Sequence, residues 1–203
     1  MNILTNDNKF ALWNNKALQF VISEPVDPYN PLGLPSNTIR VKFSSGYIPA
    51  MGDTQTLVDS TNNVWDIYKE SNDWGDLFND NNNLLEVLGA NTTNVTRMVR
   101  VFQACDLLTN VSLFDTSNIT SMSSMFDHCY NLTSIPLFDT SKVTSMNYTF
   151  NSCYAVQSGA LALYQQASTQ TTPPSFHIST FYGCGQNSQT GSAELAQIPS
   201  DWK

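Results

Sequence analysis

The sequence predicts an α/β solenoid of 24-residue helix–strand coils, preceded by a small antiparallel β segment and closed by a C-terminal cap. Three observations predict it. The segment Leu113–Cys129 returns almost unchanged as Leu137–Cys153, its apolar register extends back to Trp74, and the residues before the repeat alternate as strands do. A motif repeated in perfect register is the mark of units that each bury an apolar side against the next. The organisation expected is a β-rich docking or capping segment over residues 1–72, repeats over 73–156, and an expanded last rung with its cap over 157–203.

In the first segment, Thr38–Phe43 alternates apolar and polar side chains and ends at Ser44-Ser-Gly46. Gln55–Val58 and Val64–Tyr68 read as two further strands joined by the turn-forming run Asp59–Asn63. Pro25, Pro28, Pro31 and Pro35 with Gly33 mark an extended loop. Some seventy residues exceed what a cap requires, so a docking role is expected beside the capping one.

Within a repeat, Ile119, Met122, Met125, Phe126 and Cys129 recur at the three-or-four-residue interval of one helix face. Ser117, after Asp115 and Thr116, is the expected cap of that helix. Ile135 and Leu137 around Pro136 read as a short strand. Stacking then predicts core columns of Phe78, Phe102, Phe126 and Phe150, and of Leu84, Leu108, Leu132 and Val156, at the roughly 4.8 Å spacing of strands. Burying each large apolar side chain is worth about 1.5–3 kcal/mol, enough to hold such a stack.

Ser158–Ala167 reads as a helix, and Phe181-Tyr-Gly-Cys184 repeats the Phe-x-x-Cys signature displaced by seven residues. Phe181 and Cys184 therefore belong to an expanded last rung, with Ala193–Trp202 covering its end.

The units running from Phe114 to Ile135 resemble the BspA-type leucine-rich repeats of bacterial surface proteins, and the resemblance covers about Trp74 to Val156. It implies a leucine-rich-repeat solenoid used for attachment, display or partner binding. It carries no catalytic residues across.

Composition narrows the partners. A net charge of −8 argues against nucleic acid and anionic membranes, and only 13% of residues are charged. The surface is wetted by Asn, Ser, Thr and Gln instead, as in extracellular or virion-borne modules. Met1–Trp13 lacks the basic start and apolar run of a secretory signal, and no stretch is long enough to span a bilayer. Either an export signal has been removed or the protein leaves the cell without one, as a bacteriophage virion protein does.

Cys105, Cys129, Cys153 and Cys184 all stand in Phe-x-x-Cys, without the close pairs of a zinc site. A buried column of free thiols explains them more simply than disulfides between rungs. His128 and His177 are the only histidines and sit at variable positions. Asp115 and Asp139 should lie one above the other, accepting backbone amides. The run Asp76–Asn83 lacks the spacing of a calcium loop and reads as solvated turns. No catalytic residue, metal ligand or cofactor is expected.

A binding face, if formed by the outward side of the strands, comprises Glu86, Leu88, Asn110, Ser112, Ser134 and Pro136. These side chains lack the Trp, Tyr and Arg anchors that concentrate binding energy, so multivalent display is expected to supply avidity. The function expected is a non-enzymatic virion surface component. Its docking segment would contact other virion proteins, and its repeats a host-surface protein or glycan. The alternative is a bacterial cell-surface adhesion module.

Overall fold

The computed structural model describes residues 27–203, together with the backbone of 3–4, 9–14 and 17–22. Expectations for residues 1–2, 5–8, 15–16 and 23–26, among them the start of the docking segment and Pro25, lie outside the described residues.

Strands β1 (Ile3–Leu4), β2 (Lys9–Asn14) and β3 (Ala17–Ile22) pair antiparallel in one small sheet. A mixed five-stranded sheet follows, formed by β4 (Thr38–Phe43), β5 (Thr54–Asp59), β6 (Val64–Tyr68), β7 (Leu84–Asn91) and β8 (Asn110–Val111) in the order β5-β6-β4-β7-β8. Its first three strands lie where the sequence places them, β4 by side-chain alternation and β5 and β6 on either side of the Asp59–Asn63 run. Ile39, Val41 and Phe43 turn inward and are buried, while Arg40 and Lys42 face out. Arg40 grips Asp66 with two hydrogen bonds of 2.7 and 2.8 Å, and Lys42 meets Glu86 at 2.8 Å. β4 pairs antiparallel with β7, and β7 pairs parallel with β8, so this sheet runs into the repeats without a break.

The expected solenoid of helix–strand coils is overturned. The described residues hold that mixed sheet and two short α-helices, α1 (Ala160–Thr169) and α2 (Gln189–Gln197), both after the repeats. Between Trp74 and Val156 the chain turns where helices were expected, and around Pro136 it forms no strand, only an isolated bridge from Ser134 to Ser158.

The reason lies in the backbone. Asp76, Asp80, Arg100, Ala104, Ser124, His128, Tyr148 and Ser152 all have φ between 53° and 62°, the left-handed region that ends a right-handed helix. Two such residues, four apart, occur in each unit. Each but Arg100 is the third residue of a four-residue turn closed by a hydrogen bond, as where Met125 donates to Met122 and Cys129 to Phe126. Tandem four-residue turns repeat their apolar positions at three and four, the spacing that a helix face also has.

The intervening amides leave the unit altogether. Met122, Ser124, Phe126 and His128 donate to the carbonyls of Ser145, Asn147, Thr149 and Asn151 in the next unit. Parallel bridges link Asp73, Arg97, Ser121, Ser145 and Phe176 in turn. Backbone groups that a helix would satisfy internally are satisfied between units. Ser117 is accordingly no helix cap; its amide donates to Asp115 in a local turn.

The core follows the units in columns. Phe78, Phe102, Phe126, Phe150 and Phe181 are buried and stack with ring centroids 5.5, 5.1, 5.3 and 5.8 Å apart. Leu84, Leu108, Leu132 and Val156 are buried beside them. The buried Thr92, Thr116 and Thr140 form a polar column in which Thr92 and Thr116 bond the next unit's Asp115 and Asp139 carbonyls. Phe43 covers one end of the phenylalanine column and Trp202 the other, at 6.3 Å each. Gly159, at φ 101°, lets the chain leave the last unit for α1 because any Cβ there would strike the Ile135 carbonyl.

Candidate functional site

The inward positions are used up by packing. Cys105, Cys129 and Cys153 are free, buried thiols that lie 3.1, 3.0 and 3.1 Å from the carbonyls of Phe78, Phe102 and Phe126. Burial pushes the Cys105 thiol up to about 12 and raises Cys129, Cys153 and Cys184 as well. Such thiols hold protons tightly and make poor nucleophiles. Among the described residues, no three His, Cys, Asp or Glu side chains stand together to hold a metal ion. His128 sits 2.6 Å from its neighbour Asp127, and His177 stacks on Trp202 at 4.3 Å.

The six residues of the expected binding face divide. Glu86 and Asn110 are paired across β7 and β8, and Ser134 bridges onward to Ser158. Glu86 is already engaged by Lys42. Leu88, Ser112 and Pro136 are each half-buried, and the Ser112 amide donates to Val87. This surface is mostly small and polar, and continuous with the Arg40–Asp66 and Lys42–Glu86 pairs of the sheet.

A second surface emerges from the turns. Their outward positions form three columns through successive units: Asp73, Arg97, Ser121, Ser145, Phe176; then Gly75, Val99, Ser123, Asn147, Ile178; then Asn79, Gln103, Asp127, Asn151, Tyr182. In the first four units these positions are polar or small, Val99 apart. Arg97 meets Asp73 at 2.7 Å, Gln103 bonds Asp127, and Asn151 bonds the same carboxylate. In the last unit all three become large and apolar together. Phe176 and Ile178 are 58% exposed and Tyr182 59%, with Tyr148 exposed beside them.

Three large apolar side chains left in water on one unit are a concentrated cost, whereas single exposed apolar residues are ordinary. Sequence reasoning missed this patch, although its own seven-residue displacement of Phe181 contained the signal: carried outward, that shift aligns Phe176 with Ser145 and Ile178 with Asn147. Two asparagines of the repeat serve the stack. Asn118 and Asn131 donate to the Thr93 and Asp106 carbonyls of the preceding unit.

A groove of about 380 Å³ opens at the other end of the stack, lined by Tyr47, Met51 and the first unit's Leu77–Asn83 turn. Among the described residues, no helix is long and apolar enough to cross a membrane.

No curated protein and no solved structure matches the chain. The family model described as "Mycoplasma protein of unknown function, DUF285" matches residues 54–177, from β5 through the first four turn units to the start of the last one. That span is more than half of the 203 residues, and the chain belongs to the DUF285 family.

Proposed function

We propose that this protein is a non-enzymatic interaction module displayed on a surface, and that it binds through the apolar outward patch of its last unit. The observation that carries this reading is the change of three adjacent columns from polar to Phe176, Ile178 and Tyr182 in a single unit. Aromatic and large apolar residues that stand together at the surface are what binding sites concentrate. The inward side chains, by contrast, are committed to packing, and the cysteines to protonated, buried thiols.

Surface display rests on the polar, weakly charged composition and on the repeat's resemblance to BspA-type surface proteins, with which the DUF285 family is associated. Two settings fit it, a virion surface and a bacterial cell surface. The family's description, which names a bacterium, favours the second. Antibody labelling of intact cells and of purified particles from the native source tests the reading. Labelling of either intact surface is the expected result; protein found only inside lysed cells would overturn it.

A further inference from the structure

Two hollows flank Tyr47 where the five-stranded sheet meets the first turn unit. One, of about 380 Å³, is lined by Met51 and the Leu77–Asn83 turn; the other, of about 320 Å³, by Ile48, Leu57, Asn63 and Trp65. Tyr47 is a wall of both. Each lies within the roughly 300–1,000 Å³ of ligand sites. Their two aromatic rings are held in place from behind. Phe43 supports the Tyr47 ring at 4.9 Å, and Asn81 donates to its hydroxyl at 3.1 Å. Asn63 accepts from the Trp65 indole at 2.8 Å and donates to the Ser44 and Tyr47 carbonyls at 2.6 and 2.8 Å. Both rings remain partly exposed. Asn81 is buried where the later units bury Cys105, Cys129 and Cys153, and its amide serves Tyr47 and the Asn83 N–H.

Beside the held rings stand polar groups that the fold does not use. Asn79 and Asp80 have no side-chain hydrogen-bond partner among the described residues. Asn82 and Asn83 engage only their carbonyl oxygens, which accept from the Asp106 amide and the Ser44 hydroxyl. In later units the position of Asn79 is tied down, since Gln103 and Asn151 both bond Asp127. Asp80 is the one charged residue of either lining, and no lysine or arginine lines them.

We propose that this place binds a neutral oligosaccharide, with a sugar ring against Tyr47 or Trp65 and sugar hydroxyls on Asn79, Asp80 and Asn82. The face of an aromatic ring is negative and attracts the weakly positive C–H face of a sugar. A sugar hydroxyl both donates and accepts, so neighbouring hydroxyls suit a carboxylate beside amides. An apolar peptide would cover the rings but leave Asn79 and Asp80 unpaired, at the cost of their lost hydration. An anionic sugar or a nucleotide would meet Asp80 with no opposing charge. A single open site holds a sugar weakly, because ordering the ligand offsets most of the contact. The site therefore adds to the last-unit patch at the other end of the stack without replacing it, and the two stand or fall separately.

Titration of the full chain, followed by its amide NMR shifts, tests the proposal. The probes are cello-, malto-, xylo-, manno- and chitohexaose, with hexagalacturonic acid as the anionic comparison. At least one neutral probe should bind with Kd below about 10 mM, and the acid should not. Trp65→Ala should abolish that binding. Because loss of so large a side chain can unfold the sheet, Asn79→Ala serves beside it. Asn79 is partly exposed and holds no other side chain, so this variant should unfold at the wild-type temperature yet bind at least about tenfold more weakly. Ser121→Lys, two units away, should bind as wild type does. No binding of any neutral probe, binding of the acid alone, or equal affinity in wild type and Asn79→Ala overturns the proposal.

Discussion

Asp76 and Arg100 occupy the same position of successive units, both with left-handed backbones at φ 61° and 57°, and their side chains meet in a two-pronged ion pair of 2.7 and 3.0 Å. Register, turn geometry and surface chemistry coincide in this one contact. The Arg100 hydrogen bond holds the Asp76 carboxyl below its ordinary value, with burial opposing it. A carboxylate depressed in the folded state contributes stability that is present above its unfolded value and lost as pH falls through the folded one. Asn tolerates the same backbone, so Asp76→Asn removes the charge alone. Denaturation midpoints should show wild type above the variant at pH 7, with the gap closing as pH falls below about 4. The gap should also shrink in high salt, because the pair is exposed.

Ala104 tests the turns against helices directly. At φ 54° its Cβ is strained, and glycine would relieve that strain at the cost of a more flexible unfolded chain. Ala104→Gly should leave stability unchanged or raise it by up to about 1 kcal/mol. The same change inside a helix would lower it by about 1 kcal/mol. Chemical denaturation separates the two outcomes.

Phe126 stands in mid-column, fully buried between Phe102 and Phe150. Phe126→Ala should cost about 3–5 kcal/mol, read as a shift of the unfolding midpoint at constant slope.

The thiols give a chemical measure of the same packing. At pH 8 a thiol reagent should find the four cysteines unreactive in the native protein and all four reactive in denaturant. Rapid native labelling would show that the column opens.

Much of this architecture was legible in the sequence, and the limits are physical. The strand at Thr38 declares itself because a half-buried strand has only one period, and those at Gln55 and Val64 because the turn-forming run Asp59–Asn63 separates them. The phenylalanine, leucine and cysteine columns follow from the 24-residue repeat whatever the backbone does between them. The helix expectation failed because Met122, Met125, Phe126 and Cys129 satisfy both a helix face and tandem four-residue turns. What separates these is the left-handed residue at every fourth position. Asp76, Asp80 and His128 hint at it, while Arg100, Ala104 and Tyr148 do not. The apolar patch stayed hidden for another reason: α1 lies between the fourth and fifth units and lengthens the repeat, so Phe176 and Ile178 fall out of sight of their columns.

The central claim is that binding belongs to one unit although the scaffold is repeated. Phe176 and Ser121 share a column, two units apart, and a lysine at either place probes that claim. The measurement is retention of the purified protein on its native surface, with thermal unfolding as the check on folding. Phe176→Lys should lower retention at least about tenfold while Ser121→Lys leaves it unchanged, since a charge in an apolar contact costs more than about 1.4 kcal/mol. Equal losses from both variants, or a loss from Ser121→Lys alone, would contradict the account.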